Sequence, residues 1–151
     1  MKFTKSTAYA LHALMYMVRH ITQLPLSIEG IAKGEGIPEG ELTKLYAKLV
    51  KAGLVKIVKG RPRRYVFAMD PEQISLLDLF EAIEGGPLFD DCLLQHCDCN
   101  GTTENCLIYA QWHEATQKMK NAFARTSLEK AAWTHPEHRF DSPPAPGVAS
   151  D

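Results

Sequence analysis

Residues 27–69 read SIEGIAKGEGIPEGELTKLYAKLVKAGLVKIVKGRPRRYVFAM, and their punctuation decides the fold. Ser27 can accept a free amide at the start of a short helix carrying Ile28, Ile31 and Ala32, which the Gly34-Glu35-Gly36 turn breaks. Pro38 suits the first turn of a second helix, where its missing N–H would lack a partner anyway. Leu42, Leu45, Tyr46 and Leu49 give that helix one apolar stripe; Lys44, Lys48 and Lys51 lie off it, and Gly53 stops it. Two strand-like runs follow, Leu54 to Val58 and Tyr65 to Met69, joined at a hairpin tip by Lys59-Gly60-Arg61-Pro62-Arg63-Arg64. Short helix, glycine turn, basic helix and basic hairpin are the parts, in order, of a winged helix-turn-helix.

Upstream, Thr4 can cap a helix running to about Ile21, with Leu11, Leu14, Met15 and Val18 at helical spacing, and Pro25 ends that stretch. Downstream, Ser75 to Glu84 forms an amphipathic helix closed by Gly85-Gly86-Pro87. The run from Asp90 to Asn105 has no periodicity. From Cys106 to about Phe123 a long helix carries Ile108, Trp112, Ala115, Met119 and Phe123 as a seam for packing against another helix, the expected dimer contact. Ser127 to Trp133 can add a short helix. The fold expected is mostly α with a small β-hairpin wing. The domains expected are a winged helix over 1–86, a cysteine-rich loop over 87–105, a dimerisation helix with a short following helix over 106–134, and a disordered tail over 135–151.

The formal net charge of −1 hides a polarised chain. Lys33 to Arg64 holds nine Lys/Arg against three Glu, whereas Asp70 to Glu104 holds nine Asp/Glu and no Lys or Arg. A polyanion-binding face kept apart from a second, acidic site follows from that pattern. In a winged helix, Thr43, Lys44 and Lys48 would face a major groove, while Lys59, Arg61, Arg63 and Arg64 would reach phosphates or a neighbouring minor groove of double-stranded DNA. Glu39 and Glu41 suit the first turn of the basic helix electrostatically, yet they too would sit near DNA. No secretory signal and no apolar run of spanning length is read, so a cytoplasmic location is expected. Nucleophile–base arrangements and phosphate-cradling glycine loops are missing from the sequence, which argues against an enzyme.

In that compartment Cys92, Cys97, Cys99 and Cys106, all within fifteen residues, read as ligands or sensors rather than disulfides. Thiolates suit an iron–sulfur cluster and zinc alike, and a reversible disulfide switch is a third reading. The acidic neighbours Asp90, Asp91, Asp98 and Glu104 would make a cluster harder to reduce.

From Met1 to about Trp133 the chain resembles the Rrf-two (Rrf2) family of bacterial regulators, which includes the IscR, NsrR and RirA types. The matching stretches include Met1-Lys2-Phe3-Thr4 with Tyr9-Ala10-Leu11, Ile31-Ala32 with Gly36-Ile37, Lys51-Ala52-Gly53-Leu54-Val55, Val58-Lys59-Gly60 with Tyr65, Ile74-Ser75-Leu76-Leu77-Asp78, and Cys106-Leu107 with Ala110 and Trp112. At the wing tip, Arg63 and Arg64 stand where the family is usually glycine-rich. The resemblance implies a homodimer built on the long C-terminal helix that binds a partly palindromic operator. It also implies three cysteines holding a 2Fe–2S or 4Fe–4S cluster, and a regulator, expected to be a repressor, that senses iron, redox state or nitric oxide. Cys92, Cys99 and Cys106 fit the ligand pattern with six residues in each gap, and Cys97 competes for the middle place. For the fourth ligand, the His of IscR-like members is here Tyr109, and the first-helix carboxylate of others is Ala8. His12, one turn beyond Ala8, could reach the partner chain's site, with Cys97, His96 or a solvent or thiol ligand as alternatives. The competing functions are a zinc- or thiol-switched winged-helix regulator and a partner-binding module that does not touch DNA.

Overall fold

The computed structural model describes residues 3–94, 101–137 and 139–142. Thr4 starts the first helix, α1 (Lys5–Arg19), by accepting the Thr7 amide on its hydroxyl. Ala10, Ala13, Leu14, Met17 and Val18 are buried along α1. Four further helices pack on it: α2 (Ile28–Glu35), α3 (Glu39–Lys51), α4 (Leu76–Glu84) and α6 (Leu128–Thr134).

The helix-turn-helix forms as its punctuation dictates. Ser27 Oγ accepts the Gly30 amide at 3.1 Å, and α2 ends at Gly36 in the left-handed region, φ 67°. Gly34 matters for space instead, because a Cβ there would overlap the Tyr16 ring; the missing side chain lets α1 and α2 close together. Pro38 caps α3 from just outside it, at φ −60° and ψ 128°, rather than sitting in its first turn. Leu42, Leu45, Tyr46 and Leu49 are all buried, as the stripe requires.

The wing is the hairpin of β2 (Val55–Val58) and β3 (Arg64–Phe67), in register Val55↔Phe67 to Val58↔Arg64. A third strand, β1 (Leu26–Ser27), pairs with the other edge of β3 and gives the order β1-β3-β2. Sequence reading missed β1 because two residues cannot show alternation.

Ser75 and Asp78 close a reciprocal capping box on α4. The long helix α5 (Leu107–Arg125) leans on α4, where Phe123 meets Phe80 edge-on with ring centroids 5.2 Å apart. After α5 the chain returns to the core: Leu128 N–H donates to Ile74 O at 2.8 Å, and Leu128 and Ala132 are buried. Thus α6, grouped by the sequence with the dimerisation segment, is part of the winged-helix core.

The tail differs from expectation as well. Instead of being without structure from 135, residues 139–142 dock on the end of α2. Arg139 Nη1 donates to Lys33 O at 2.7 Å, and Phe140 N–H donates to Glu35 O at 2.9 Å. The physical reason lies in α2, whose last carbonyls have no amides of their own helix to accept. The Phe140 ring then packs against Tyr9 and His12, with centroids 4.8 Å and 4.7 Å away.

Candidate nucleic-acid interface and cysteine site

The outer side of α3 carries Thr43, Lys44, Ala47 and Lys48, all exposed. Thr43 Oγ1 donates to Glu39 O at 3.0 Å, so its hydroxyl can still accept a donor from outside. Glu39 and Glu41 are exposed at the same end of the helix. The tip residues Lys59, Arg61, Arg63 and Arg64 are exposed, and no ion pair ties any of them among the described residues. Wing and helix are joined from beneath by Tyr65 and Tyr46, whose rings meet edge-on with centroids 4.8 Å apart. Burial pushes the Tyr46 phenol well above its ordinary pKa, and its hydroxyl donates to Met17 Sδ at 3.1 Å. Basic helix and basic wing therefore stand on one buried aromatic pair.

Lys48, expected to face DNA, also has a partner within the chain. Its Nζ donates to Ile83 O at 3.0 Å, at the carboxyl end of α4. That carbonyl needs an outside donor, because the residue four positions on is Pro87, which has no N–H. The neighbouring Glu84 accepts from the Thr7 hydroxyl in a very short contact, and from the Thr4 hydroxyl at 3.0 Å. The Thr7 bond leads the causes that hold the Glu84 carboxyl below its ordinary pKa, and nearby Lys48 adds to them. Proline four residues after an interior helix position was the signal that could have revealed this link.

From that junction the chain runs to the first cysteine under several restraints. Leu88 N–H donates to Glu81 Oε1 at 3.0 Å, and the Leu88 and Phe89 side chains are buried. Phe89 adopts a left-handed φ of 64°, the only described residue other than glycine to do so. Lys120 Nζ pairs with Asp90 at 2.6 Å, and the Trp112 indole N–H donates to Asp91 O at 2.7 Å. Cys92 follows, half-buried and outside any disulfide.

Cys106, likewise half-buried and free, is the N-cap of α5, its Sγ accepting the Tyr109 amide at 3.5 Å. A helix N-terminus is the end that favours negative charge, so a metal-bound thiolate suits this place. Cys97, Cys99 and His96 lie outside the described residues. The donor set fits an iron–sulfur cluster: soft thiols, outside any disulfide where described, on a segment rooted at both ends. Tyr109 stacks on His113 with centroids 5.8 Å apart and is half-buried.

Two of the expected site residues have partners within their own chain. His12 is enclosed in its own chain, only 7% exposed, with Nδ1 3.4 Å from Glu35 Oε2 and its ring against His135 at 4.9 Å. It is wedged between α2 and the docked tail of its own chain. Phe123, placed in the dimer seam by spacing, instead packs within its own chain on Phe80 and Phe3. The rest of the seam is open: Ile108 is 50% and Met119 40% exposed, Ala115 is exposed, and Thr116 alone in α5 is buried. Trp112 is half-buried beside them.

No helix among the described residues is long and apolar enough to cross a membrane. The family model described as "Rrf2: Iron-dependent Transcriptional regulator" matches residues 3–132. A protein of Aquifex aeolicus named as an HTH-type transcriptional regulator is 29% identical over 93% of this chain and 97% of its own length. The HTH-type transcriptional regulator IscR of Vibrio cholerae is 30% identical over 85% of this chain and 73% of that protein. Among solved structures, CymR of B. subtilis, titled its global cysteine regulator, matches with a TM-score of 0.75 at 23% identity, covering 90% of this chain and 99% of that one. IscR of T. potens matches with a TM-score of 0.67 at 24% identity over 86% and 85% of the two chains. These last two likenesses support the winged-helix fold read above. With its basic helix, its wing and a family match running almost from end to end, the chain belongs to the Rrf2 family and is a DNA-binding transcriptional regulator, not an enzyme.

Proposed function

We propose that the protein acts as a cytoplasmic homodimer that reads an operator with α3 and the wing, and that its cysteine segment holds an iron–sulfur cluster whose state sets DNA affinity. The observation that carries this reading is the placement of Cys106 as the N-cap of α5, with Cys92 at the end of a restrained run from α4. Cys92 and Cys106 would hold the cluster together with Cys97 or Cys99. A bound cluster supplies one-electron chemistry and sensitivity to oxidants and nitric oxide, which is how such a site reports on the cell.

The remaining work belongs to the chain's own groups. Thr43 and Lys44 meet the major groove, and Lys59, Arg61, Arg63 and Arg64 meet phosphates or the adjacent minor groove. The open face of α5 carrying Ile108, Trp112, Ala115 and Met119 buries itself against its two-fold copy, which fixes the separation of the two α3 helices. A shared ligand would tie Cys92, at the end of the restrained run from α4, to Cys106 at the start of α5. A difference of only about 1.4 kcal/mol between the two states would change operator affinity tenfold.

Anaerobic purification, followed by iron, acid-labile sulfide and absorbance measurements, tests the cluster. Iron and sulfide with visible absorbance, lost in Cys106→Ala, are expected. A colourless, iron-free protein with tightly bound zinc would support the zinc-site reading instead. A metal-free protein that forms a reversible Cys–Cys bond would support the thiol switch.

A further inference from the structure

We propose that Lys48 is a positioning residue of the recognition helix rather than a phosphate contact: its bond to Ile83 O makes the pose of α3 depend on the carboxyl turn of α4, and through it on the cysteine segment. The coupling half rests on the cluster reading above; the positioning half does not.

At the end of α4 the Ile83 carbonyl is among those that the helix itself cannot satisfy. Gly85 and Gly86 N–H both donate to Glu81 O, and Pro87 leaves Ile83 O without an amide. Lys48 Nζ supplies the donor at 3.0 Å and brings a positive charge to the negative end of the α4 dipole. The Glu84 carboxylate, next in the chain, adds attraction for the same ammonium and is itself clamped to Thr4 and Thr7 at the start of α1. An ammonium held in this way is engaged before DNA arrives. Lys44, one turn earlier on α3, is exposed and has no ion pair or hydrogen bond to any described residue, which leaves it a free cation of that face.

The same turn is the root of the cysteine segment. Eight residues separate Ile83 from Cys92, and the restraints along them are the Leu88–Glu81 bond, buried Phe89, the Asp90–Lys120 pair and the Asp91–Trp112 bond. A displacement at Cys92 is therefore passed to the α4 terminus, where Lys48 waits on the other side. Coupling between sites needs a contiguous packed route, and this one is short.

The test is fluorescence anisotropy of operator binding by the full-length protein across a salt series, in metal-free and anaerobically loaded forms. Wild type, Lys48→Met and Lys48→Arg are compared, and their melting temperatures confirm folding. A lost phosphate contact would lower the log–log salt slope by roughly 0.9 per contact, or ~1.8 per dimer. Lys48→Met is expected to keep the wild-type slope, to lose preference for the operator over random DNA, and to bring the two forms to within about twofold of each other. Lys48→Arg, which retains a donor, should restore both. A slope reduced by ~1.8 would overturn the positioning role; an unchanged difference between forms would overturn the coupling. If wild type itself binds equally in both forms, the cluster reading falls, while the slope and the operator preference still decide what Lys48 does.

Discussion

Replacing Met119 with alanine should loosen the proposed dimer by an amount the structure lets one work out. Met119 keeps 40% of its surface exposed in the single chain. Burying a whole methionine side chain contributes about 1.5–3 kcal/mol, so covering the remaining share contributes roughly 0.6–1.2 kcal/mol. A two-fold interface uses the same patch on each protomer, which doubles the figure to ~1.2–2.4 kcal/mol. At 1.4 kcal/mol per decade, the dimer dissociation constant should rise roughly 7–50-fold in Met119→Ala. Met119→Glu must also strip water from two carboxylates at several kcal/mol each, taking the loss past about a thousandfold. Sedimentation equilibrium over a range of concentrations reads both constants, and the melting temperature of the winged-helix core should hardly move, because nothing in that core leans on this side chain. The refuting result is a Met119→Glu protein that sediments as a dimer at wild-type concentrations. The two-fold axis would then not pass along this face of α5.

The wing and the Glu84 clamp give two further expectations. Arg61→Ala with Arg63→Ala should reduce the salt dependence of DNA binding by roughly 0.9 per contact, ~3.6 per dimer if all four contact phosphate, and should weaken operator and random DNA alike. A loss confined to the operator would instead mean base or minor-groove readout. For Glu84, the hydroxyls of Thr7 and Thr4 hold the folded carboxyl below its ordinary value of 4.5. Its stabilisation is thus complete above 4.5 and lost as pH falls through the lowered folded value. Thermal melts of wild type and Glu84→Gln should therefore differ most near neutrality and converge below pH 4.5. A gap that is constant with pH would remove the carboxylate from the account.

Local rules carried most of what the sequence disclosed. Ser27, Ser75 and Gly36 act within a few residues of where they stand, so caps and turn were legible, and the α3 stripe needs only a period. What escaped depends on partners distant along the chain. Lys48 meets a carbonyl 35 residues away, and Arg139 meets one 106 residues away. Helical spacing put Phe123 with Met119 on one seam, yet Phe3 and Phe80 claim it from the other side. His12 shares a face with Ala8, but only the packed α2 shows that Glu35 lies beneath it. Pro136, Pro143, Pro144 and Pro146 weighed against order in the tail, while the docking is done by Arg139 and Phe140 among them.

The acidic run of 70–104 acquires a use that its charge alone did not suggest. Asp70 accepts the Glu72 amide, Asp78 closes the α4 cap, Glu81 holds the Leu88 amide, Glu84 grips Thr4 and Thr7, and Asp90 holds Lys120. Of these carboxylates, Glu81 and Asp90 tether the chain that leads away from α4. A free backbone over that stretch would absorb any pull at Cys92 in its own torsions, and nothing would arrive at α3. With its amides and side chains pinned, the same stretch transmits displacement at little cost in slack. The negative block and the positive one are thus two ends of one mechanical line, meeting where the Lys48 ammonium rests on the last turn of α4.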